Sequence, residues 1–195
     1  PEGTPIDSVP LVRLLDSDPE GEDKMIVAMM YPHSNLSEEQ LQRRVSAMNH
    51  EDKLAVVRAY VGDRRNRRHK PGRALERPFY RFDVLVDYGA FRDLQRHRML
   101  TIDWQTLSPT HGYTRPSLID DAGMTGAFDE AMERSATLHD VLLEDFPDQA
   151  SYAVSLAYKI RFNMNINARS AMHMIELRTT PQGHPSYREV GQEMH

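Results

Sequence analysis

Three consecutive side chains, Arg96, His97 and Arg98, concentrate anion-binding groups at one point of the sequence. Arginine is always charged and presents parallel donors that match phosphate or carboxylate, and histidine adds a donor or a flat stacking surface. The triplet therefore predicts a site for a phosphate group or for an extended phosphate-bearing cofactor. The alternative is an ordinary solvated surface, where most basic side chains lie.

A second group of polar side chains is predicted towards the C-terminal end of the sequence. Residues 158–166 alternate apolar and polar side chains, as a strand with one wet face does, and Asn167 suits the N-cap of a following helix. On that helix Arg169, His173 and Glu176 are spaced so that they share one face. Because a helix N-terminus offers free amides, this face is interpreted as an anion or cofactor cradle. The stripe predicted to pack inward consists of Ala171, Met174 and Leu177.

A basic segment, residues 64–73, has lysine or arginine at six of its ten positions. One interpretation is a solvated loop, since charged runs usually face water. The other is a phosphate-facing loop that lies beside the Arg96–Arg98 triplet. The sequence leaves both interpretations open.

Hydrophobic periodicity predicts the elements that must position these residues. A short strand is predicted at 9–15, where a turn-rich stretch follows it, and alternation predicts a second strand at 79–87. A brief helix is predicted between the second strand and the triplet. Longer helices are predicted at 22–31, from 37 with a capping box over 37–40, from 51, and at 123–146. The stripe predicted to be buried on the last helix consists of Phe128, Ala131, Met132, Leu138, Val141 and Leu142.

Length and composition predict one globular domain over residues 1–195, possibly a fragment of a longer protein because the chain opens on Pro1. The absence of a long apolar run and of a leader predicts a soluble, cytoplasmic protein without membrane contact. A net charge of −5 argues against wholesale nucleic-acid binding. Without cysteine, thiolate zinc sites are excluded, and the scattered histidines predict no metal site.

Five motifs, taken together, resemble the flavin-dependent thymidylate synthases over most of the chain. The order and spacing of the Arg-His-Arg triplet and of the Asn-Ala-Arg-Ser to Glu-Leu-Arg stretch are the most specific. The motifs are Val-Arg-Leu-Leu-Asp at 12–16, Glu76 with the aromatic strand 79–82, the triplet at 96–98, Asn-Ala-Arg-Ser at 167–170 and Glu-Leu-Arg at 176–178.

The resemblance implies an α+β fold with a central, mostly antiparallel sheet flanked by helices. It also implies FAD bound between the subunits of a homotetramer, with NADPH and methylenetetrahydrofolate as co-substrates in the methylation of dUMP to dTMP. Arg178 matches a family arginine expected to bind the nucleotide and stabilise charge on it, and Thr106 and Ser108 fall in the substrate-binding stretch. The positions matching flavin-binding residues are Arg96, His97, Arg98, Asn167, Arg169 and His173.

The substrate half of the motif set departs from the family pattern. Where the family has Ser-x-x-Glu-x-Ser-x-Arg-Tyr, this chain reads Thr101, Trp104, Thr106, Ser108 and Pro109, and a further family arginine falls on Ser151. Two phosphate-binding guanidiniums and an acid are therefore missing. Hydrogen bonds to charged groups contribute roughly 1.5–3 kcal/mol each, so weaker nucleotide binding is expected unless other cations replace them.

Three functions follow as alternatives. The first is an FAD-dependent thymidylate synthase in which the basic segment or another part of a longer chain supplies the missing cations. The second is a non-catalytic flavin-binding domain of a duplicated synthase that serves assembly, as a homo-oligomer or a tandem-domain pseudo-oligomer. The third is an anion or nucleic-acid binding module. The scarcity of aromatic residues within the basic segment argues against this third function, because bases stack on aromatic side chains.

Overall fold

A computed structural model describes residues 4–6 and 10–195 of the chain. The four strands are Val12–Ser17 (β1), Phe79–Asp87 (β2), Leu100–Trp104 (β3) and Lys159–Asn167 (β4). The predicted strand at 9–15 corresponds to β1, although Val9 lies outside the described residues. The helices are Gly21–Met30 (α1), Glu38–Ser46 (α2), His50–Val61 (α3), Tyr88–Leu94 (α4), Ser117–Asp121 (α5), Thr125–Asp145 (α6), Ala168–Arg178 (α7) and Pro185–Glu193 (α8).

The four strands form one sheet in the order β1-β2-β4-β3, in which all neighbouring strands are antiparallel. The central pair, β2 and β4, is in continuous register from Phe79 opposite Asn167 to Asp87 opposite Lys159. Helices flank this sheet, so the predicted α+β class with a mostly antiparallel sheet is confirmed.

One face of the sheet is apolar and forms the main core. Val84 of β2 and Phe162 of β4 are buried there against Phe91 of α4, Met174 of α7 and Val190 of α8. The opposite face is polar, as the alternation in β4 predicts, and exposes Asn163 and Asn165 to solvent. Because side chains alternate across a strand, burial of one face fixes the register of the central strands β2 and β4.

A separate helical layer, made of α1, α2 and α3, packs beside the sheet. Its centre is formed by Ile26, Leu41 and Val45, which are fully buried. The predicted capping box of α2 is confirmed, since Gln40 N donates to Ser37 Oγ at 3.3 Å and Ser37 N donates to Gln40 Oε1 at 2.9 Å. This layer also meets the start of α7 through a 3₁₀ turn, Arg73–Glu76.

The predicted buried stripe of α6 is wrong in part. Met132 is buried, and Phe128 and Leu142 are half-buried, but Ala131 is exposed and Leu138 and Val141 are 51% and 61% exposed. The reason is that α6 buries only part of its surface, chiefly against the segment that precedes β4, where Val154 and Tyr158 meet Met132. Its remaining apolar residues stay on the surface of the single chain.

Within residues 4–6 and 10–195, no helix combines the length and apolar character that a membrane span requires. The same residues contain no cluster of three or more His, Asp or Glu side chains placed to hold a metal ion.

Gly72 closes the basic segment in a conformation that other residues rarely adopt. Its φ is 90°, and a Cβ at this position would lie 2.5 Å from Cε1 of Tyr60. Tyr60 in turn accepts a hydrogen bond from Ala74 N at 3.1 Å. The end of the basic segment is therefore fixed to α3.

We predict that Gly72→Ala destabilises the protein more than Gly112→Ala does. Both residues have positive φ, which costs about 1–3 kcal/mol for alanine, but a Cβ on Gly112 would meet nothing within 4 Å. The clash with Tyr60 should add roughly 1–3 kcal/mol, as overpacking does. Denaturant unfolding of the two variants measures the difference, and equal losses would contradict the assigned contact.

Candidate functional site

A cavity of about 730 Å³ opens where the basic segment, the α4–β3 turn (residues 95–99) and α7 meet. We call it the basic cavity. Three elements that are distant in sequence therefore contribute to one site. The predicted site residues that line it are Arg96, His97, Arg98, Arg169, His173 and Arg178.

The position of the Arg96–Arg98 triplet is set by α4. Asp87 Oδ1 caps that helix by accepting from Ala90 N at 2.8 Å, and Phe91 and Leu94 are buried in the core. The helix ends at Leu94 and β3 begins at Leu100, so the triplet occupies a short turn between two fixed elements.

Asn167 contributes to the site indirectly, because it caps the helix that carries the other half. Its Oδ1 accepts from Ser170 N at 2.9 Å, which confirms the predicted N-cap. Asn167 does not line the basic cavity. Leu177 corrects the predicted inward stripe, since it is only half-buried and lines the cavity, whereas Ala171 and Met174 are buried.

Arg178 connects the end of α7 to the α4–β3 turn. Its Nη2 donates to the backbone oxygen of Asp93 at 2.5 Å, and its Nη1 lies 3.5 Å from Asp93 Oδ1. Its Nε donates to His97 Nε2 at 3.0 Å, and its Cζ lies 5.2 Å from the centre of the Tyr187 ring. The guanidinium is therefore held by four contacts at the wall of the cavity.

His97 is neutral near neutral pH. Burial first, and then the charges of Arg178 and His173, lower its pKa from 6.5 to about 4. Because arginine only donates, His97 Nε2 must be the acceptor of the bond from Arg178, and the ring proton lies on Nδ1. The ring of His173 packs edge-on at 5.8 Å between centroids.

The basic segment is attached to α7 by a bidentate ion pair that sequence reasoning missed. Arg64 donates to both carboxylate oxygens of Glu176, at 2.6 and 2.7 Å, and its Nε donates to His69 O at 2.6 Å. The hydrogen bonds from Arg64 lower the pKa of Glu176. The sequence feature that points to this pair is the predicted helix face that Glu176 shares with Arg169 and His173.

Arg169 is also committed to a carboxylate. Its Nη1 donates to Glu76 Oε1 at 2.6 Å, and Glu76 accepts from Arg73 as well, at 3.2 and 3.3 Å. The bonds from Arg73 and then from Arg169, despite partial burial, lower the pKa of Glu76. The pair connects the start of α7 to the 3₁₀ turn that ends the basic segment.

The predicted substrate residues Thr106 and Ser108 lie after β3 and do not line the basic cavity. Ser108 Oγ instead caps a 3₁₀ turn by accepting from Thr110 N at 3.4 Å, and donates to Thr110 Oγ1 at 2.9 Å. Ser151, in another 3₁₀ turn, does not line the cavity either. Thr106, Ser108 and Ser151 therefore lie outside the basic cavity of their own chain.

We predict that Arg178→Ala raises the pKa of His97 from about 4 towards 6.5. The variant removes the cation that donates to His97 and should expose the ring. The control is Arg92→Ala, which removes an exposed cation of α4 and should leave the pKa of His97 unchanged. NMR titration of the His97 ring measures both.

The same shift predicts a pH dependence of folding. Because the folded pKa lies below the unfolded value, the contribution of neutral His97 to stability is full above about pH 6.5 and is lost as pH falls towards 4. A His97 titration near its ordinary pKa in the unaltered protein would contradict the geometry.

Comparison with known proteins shows the family. Residues 13–195 match the family described as thymidylate synthase complementing protein. A UPF0159 protein of Chlamydia pneumoniae is 42% identical over 183 residues, which are 94% of this chain and 34% of that relative. A UPF0159 protein of Thermoplasma acidophilum is 34% identical over 188 residues, which are 94% of this chain and 38% of that relative. The chain thus spans about a third of the length of these curated relatives.

Solved structures share the fold. Thymidylate synthase X of Helicobacter pylori, in a crystal structure with FAD and dUMP, has a TM-score of 0.65 at 20% identity, and the match covers 94% of this chain and 90% of that chain. The UMP/dUMP methylase PolB of Streptomyces cacaoi, bound with 5-Br dUMP, has a TM-score of 0.69 at 18% identity and coverage of 94% and 86%. At these identities the likeness concerns the fold alone. The family match confirms the resemblance seen in the motifs, and the chain belongs to the thymidylate synthase complementing protein family.

Proposed function

We propose that this chain is an FAD-dependent thymidylate synthase-type methyltransferase that acts on dUMP or a closely related nucleotide, with methylenetetrahydrofolate and NADPH as co-substrates. The observation that carries the proposal is the gathering of the Arg96–Arg98 triplet and the Arg169–His173 face of α7 around one cavity. The family match supports the reaction class, and structural neighbours crystallised with FAD and dUMP or with 5-Br dUMP support the ligands.

The charge of the basic cavity fits phosphate-bearing ligands. Of the residues that the structure describes, seven arginines and one lysine line it, together with one carboxylate, that of Glu176. Four of these cations are satisfied by Glu176, Glu76 or Asp93. Among the described residues, no ion pair involves the remaining four, which are Arg67, Arg68, Lys70 and Arg98. A diphosphate and a nucleotide monophosphate together would supply a matching negative charge.

The cavity also has the surface that a flavin ring needs. Met99, Met172 and Leu177 contribute apolar area between the charged groups, and methionine adapts to flat aromatic ligands. Arg98 would contact the phosphates of the cofactor, and His97 would donate through Nδ1, the nitrogen that carries its proton. Bound flavin would supply the redox chemistry of the reaction.

Arg178 is proposed as the nucleotide-side arginine of the site. Its contacts with Asp93 and His97 hold the guanidinium in one orientation at the cavity wall, and a charge fixed in advance stabilises negative charge on a bound pyrimidine without reorganisation.

The site is proposed to be completed by a second copy of the chain or by a tandem domain. Thr106 and Ser108 do not line the basic cavity of their own chain. They would therefore contact a nucleotide bound in the basic cavity of a second copy or of a tandem domain. The exposed Leu138 and Val141 of α6 provide apolar surface for association. Light scattering of the FAD-loaded protein should therefore show an oligomer, and a monomer with FAD bound would contradict this part of the proposal.

The second candidate is a non-catalytic flavin-binding domain. It is favoured by the serines at 108 and 151 in place of family arginines and by the length of the relatives, of which this chain spans about a third. Both candidates predict flavin binding, and only the first predicts turnover.

Tritium release from 5-tritiated dUMP, measured with FAD, methylenetetrahydrofolate and NADPH, tests the proposed function. We expect release that depends on all three additions. Flavin binding without release under saturating conditions would leave only the second candidate.

The matching binding experiment uses Arg96→Ala/Arg98→Ala, followed by quenching of flavin fluorescence. Loss of charged phosphate contacts should weaken FAD binding on the order of 100-fold, at roughly 1.5–3 kcal/mol per contact. The control is Arg134→Ala, which removes an exposed α6 arginine paired with Glu130. Unchanged quenching in the double variant would contradict the assignment of these residues.

A further inference from the structure

The basic segment is largely exposed to solvent, yet an ion pair attaches it to α7 and hydrogen bonds hold it internally. The Arg64–Glu176 pair is largely shielded, with side-chain exposures of 19% and 31%. Inside the segment, His69 N donates to Asn66 O at 3.0 Å, and Arg65 N donates to His69 Nδ1 at 3.3 Å. Together with the bond from Arg64 Nε to His69 O, these contacts make a closed turn attached to α7. A solvated loop needs no such attachment.

The cations of the closed turn have two different roles. Arg64 serves structure, because each of its three guanidinium nitrogens donates to Glu176 or His69. Arg67, Arg68 and Lys70 line the basic cavity, and within the described ranges none of them forms an ion pair. These three like charges line one cavity and repel one another, and a bound polyanion would relieve that repulsion.

We propose that Arg67, Arg68 and Lys70 form a phosphate subsite for the monophosphate of the nucleotide substrate, held in place by the Arg64–Glu176 pair. This inference rests on the proposed function and names residues for a step that the family pattern assigns elsewhere. The arginines that the family places at the positions of Ser108 and Ser151 are absent here. Arg98, in the α4–β3 turn that also lines the cavity, remains for the flavin phosphates.

The first experiment is calorimetry of dUMP binding to the FAD-saturated full chain. Arg67→Ala/Arg68→Ala should lower dUMP affinity on the order of 100-fold, from two charged contacts, and should leave FAD affinity unchanged. Deoxyuridine, which lacks the phosphate, should bind the variant and the unaltered protein equally. Arg65→Ala is the matched control, because Arg65 belongs to the same segment but pairs with Asp63 and does not line the cavity.

The second variant, Glu176→Gln, separates geometry from net charge. Removing a carboxylate makes the cavity more positive, so charge alone predicts tighter binding of dUMP. The proposed role of the Arg64–Glu176 pair predicts the opposite, because the subsite loses its attachment to α7. We expect dUMP affinity to fall about 10-fold or more, with circular dichroism and FAD affinity retained.

The outcomes separate this inference from the proposed function. If the unaltered, FAD-loaded protein binds no dUMP, both are overturned. If it binds dUMP and Arg67→Ala/Arg68→Ala binds it equally well, only the subsite is overturned. Loss of FAD affinity in that double variant, or equal losses for dUMP and deoxyuridine, also overturns it. Tighter dUMP binding by Glu176→Gln overturns the role of the ion pair.

Discussion

The contact of Arg178 with Asp93 and His97 fixes the distance between the two halves of the basic cavity. Arg178 is the last residue of α7, whereas Asp93 and His97 lie at the end of α4 and in the turn that follows. Both helices pack on the apolar face of the sheet, but sheet packing alone leaves their ends free to move apart. A guanidinium that donates to a backbone oxygen, a carboxylate and a ring nitrogen joins those ends directly.

The same contact determines the chemistry of His97. With Arg178 donating to Nε2, the ring is held as the neutral Nδ1–H tautomer, and its pKa is lowered to about 4. The cavity therefore has charged donors from arginine and a neutral donor from histidine side by side. Charged donors suit phosphates, and a neutral donor suits the uncharged edge of a heterocycle.

Ion pairs divide the cations of the basic cavity into a structural group, whose members are paired with carboxylates, and a group that is available to bind ligand. Arg64, Arg169 and Arg178 each hold one element of the cavity against another. The cavity cations in the second group are Arg98 and those of the basic segment other than Arg64. This division is the physical basis for assigning the phosphate contacts to the second group, since a guanidinium already paired with a carboxylate gains less from a phosphate.

Much of this arrangement could be predicted from the sequence because it depends on local patterns. The register of β4, the cap at Asn167 and the shared face of Arg169, His173 and Glu176 follow from periods of two and of three to four residues. The Arg64–Glu176 pair joins residues 112 positions apart, and nothing local specifies it. The edge strand β3 is only five residues long, and the hydrophobic pattern of the sequence does not predict it. The surface position of Leu138 and Val141 reflects what packs on α6, which periodicity does not reveal.

We propose that the basic cavity binds the phosphates of a flavin and of a nucleotide. A crystal structure of the protein with FAD and dUMP is the direct test. We expect FAD phosphates beside Arg98 and the nucleotide phosphate beside Arg67 and Arg68, with Thr106 or Ser108 of a neighbouring copy or domain near the nucleotide. Both ligands bound outside the cavity, with Arg67, Arg68 and Arg98 facing only solvent, would contradict it.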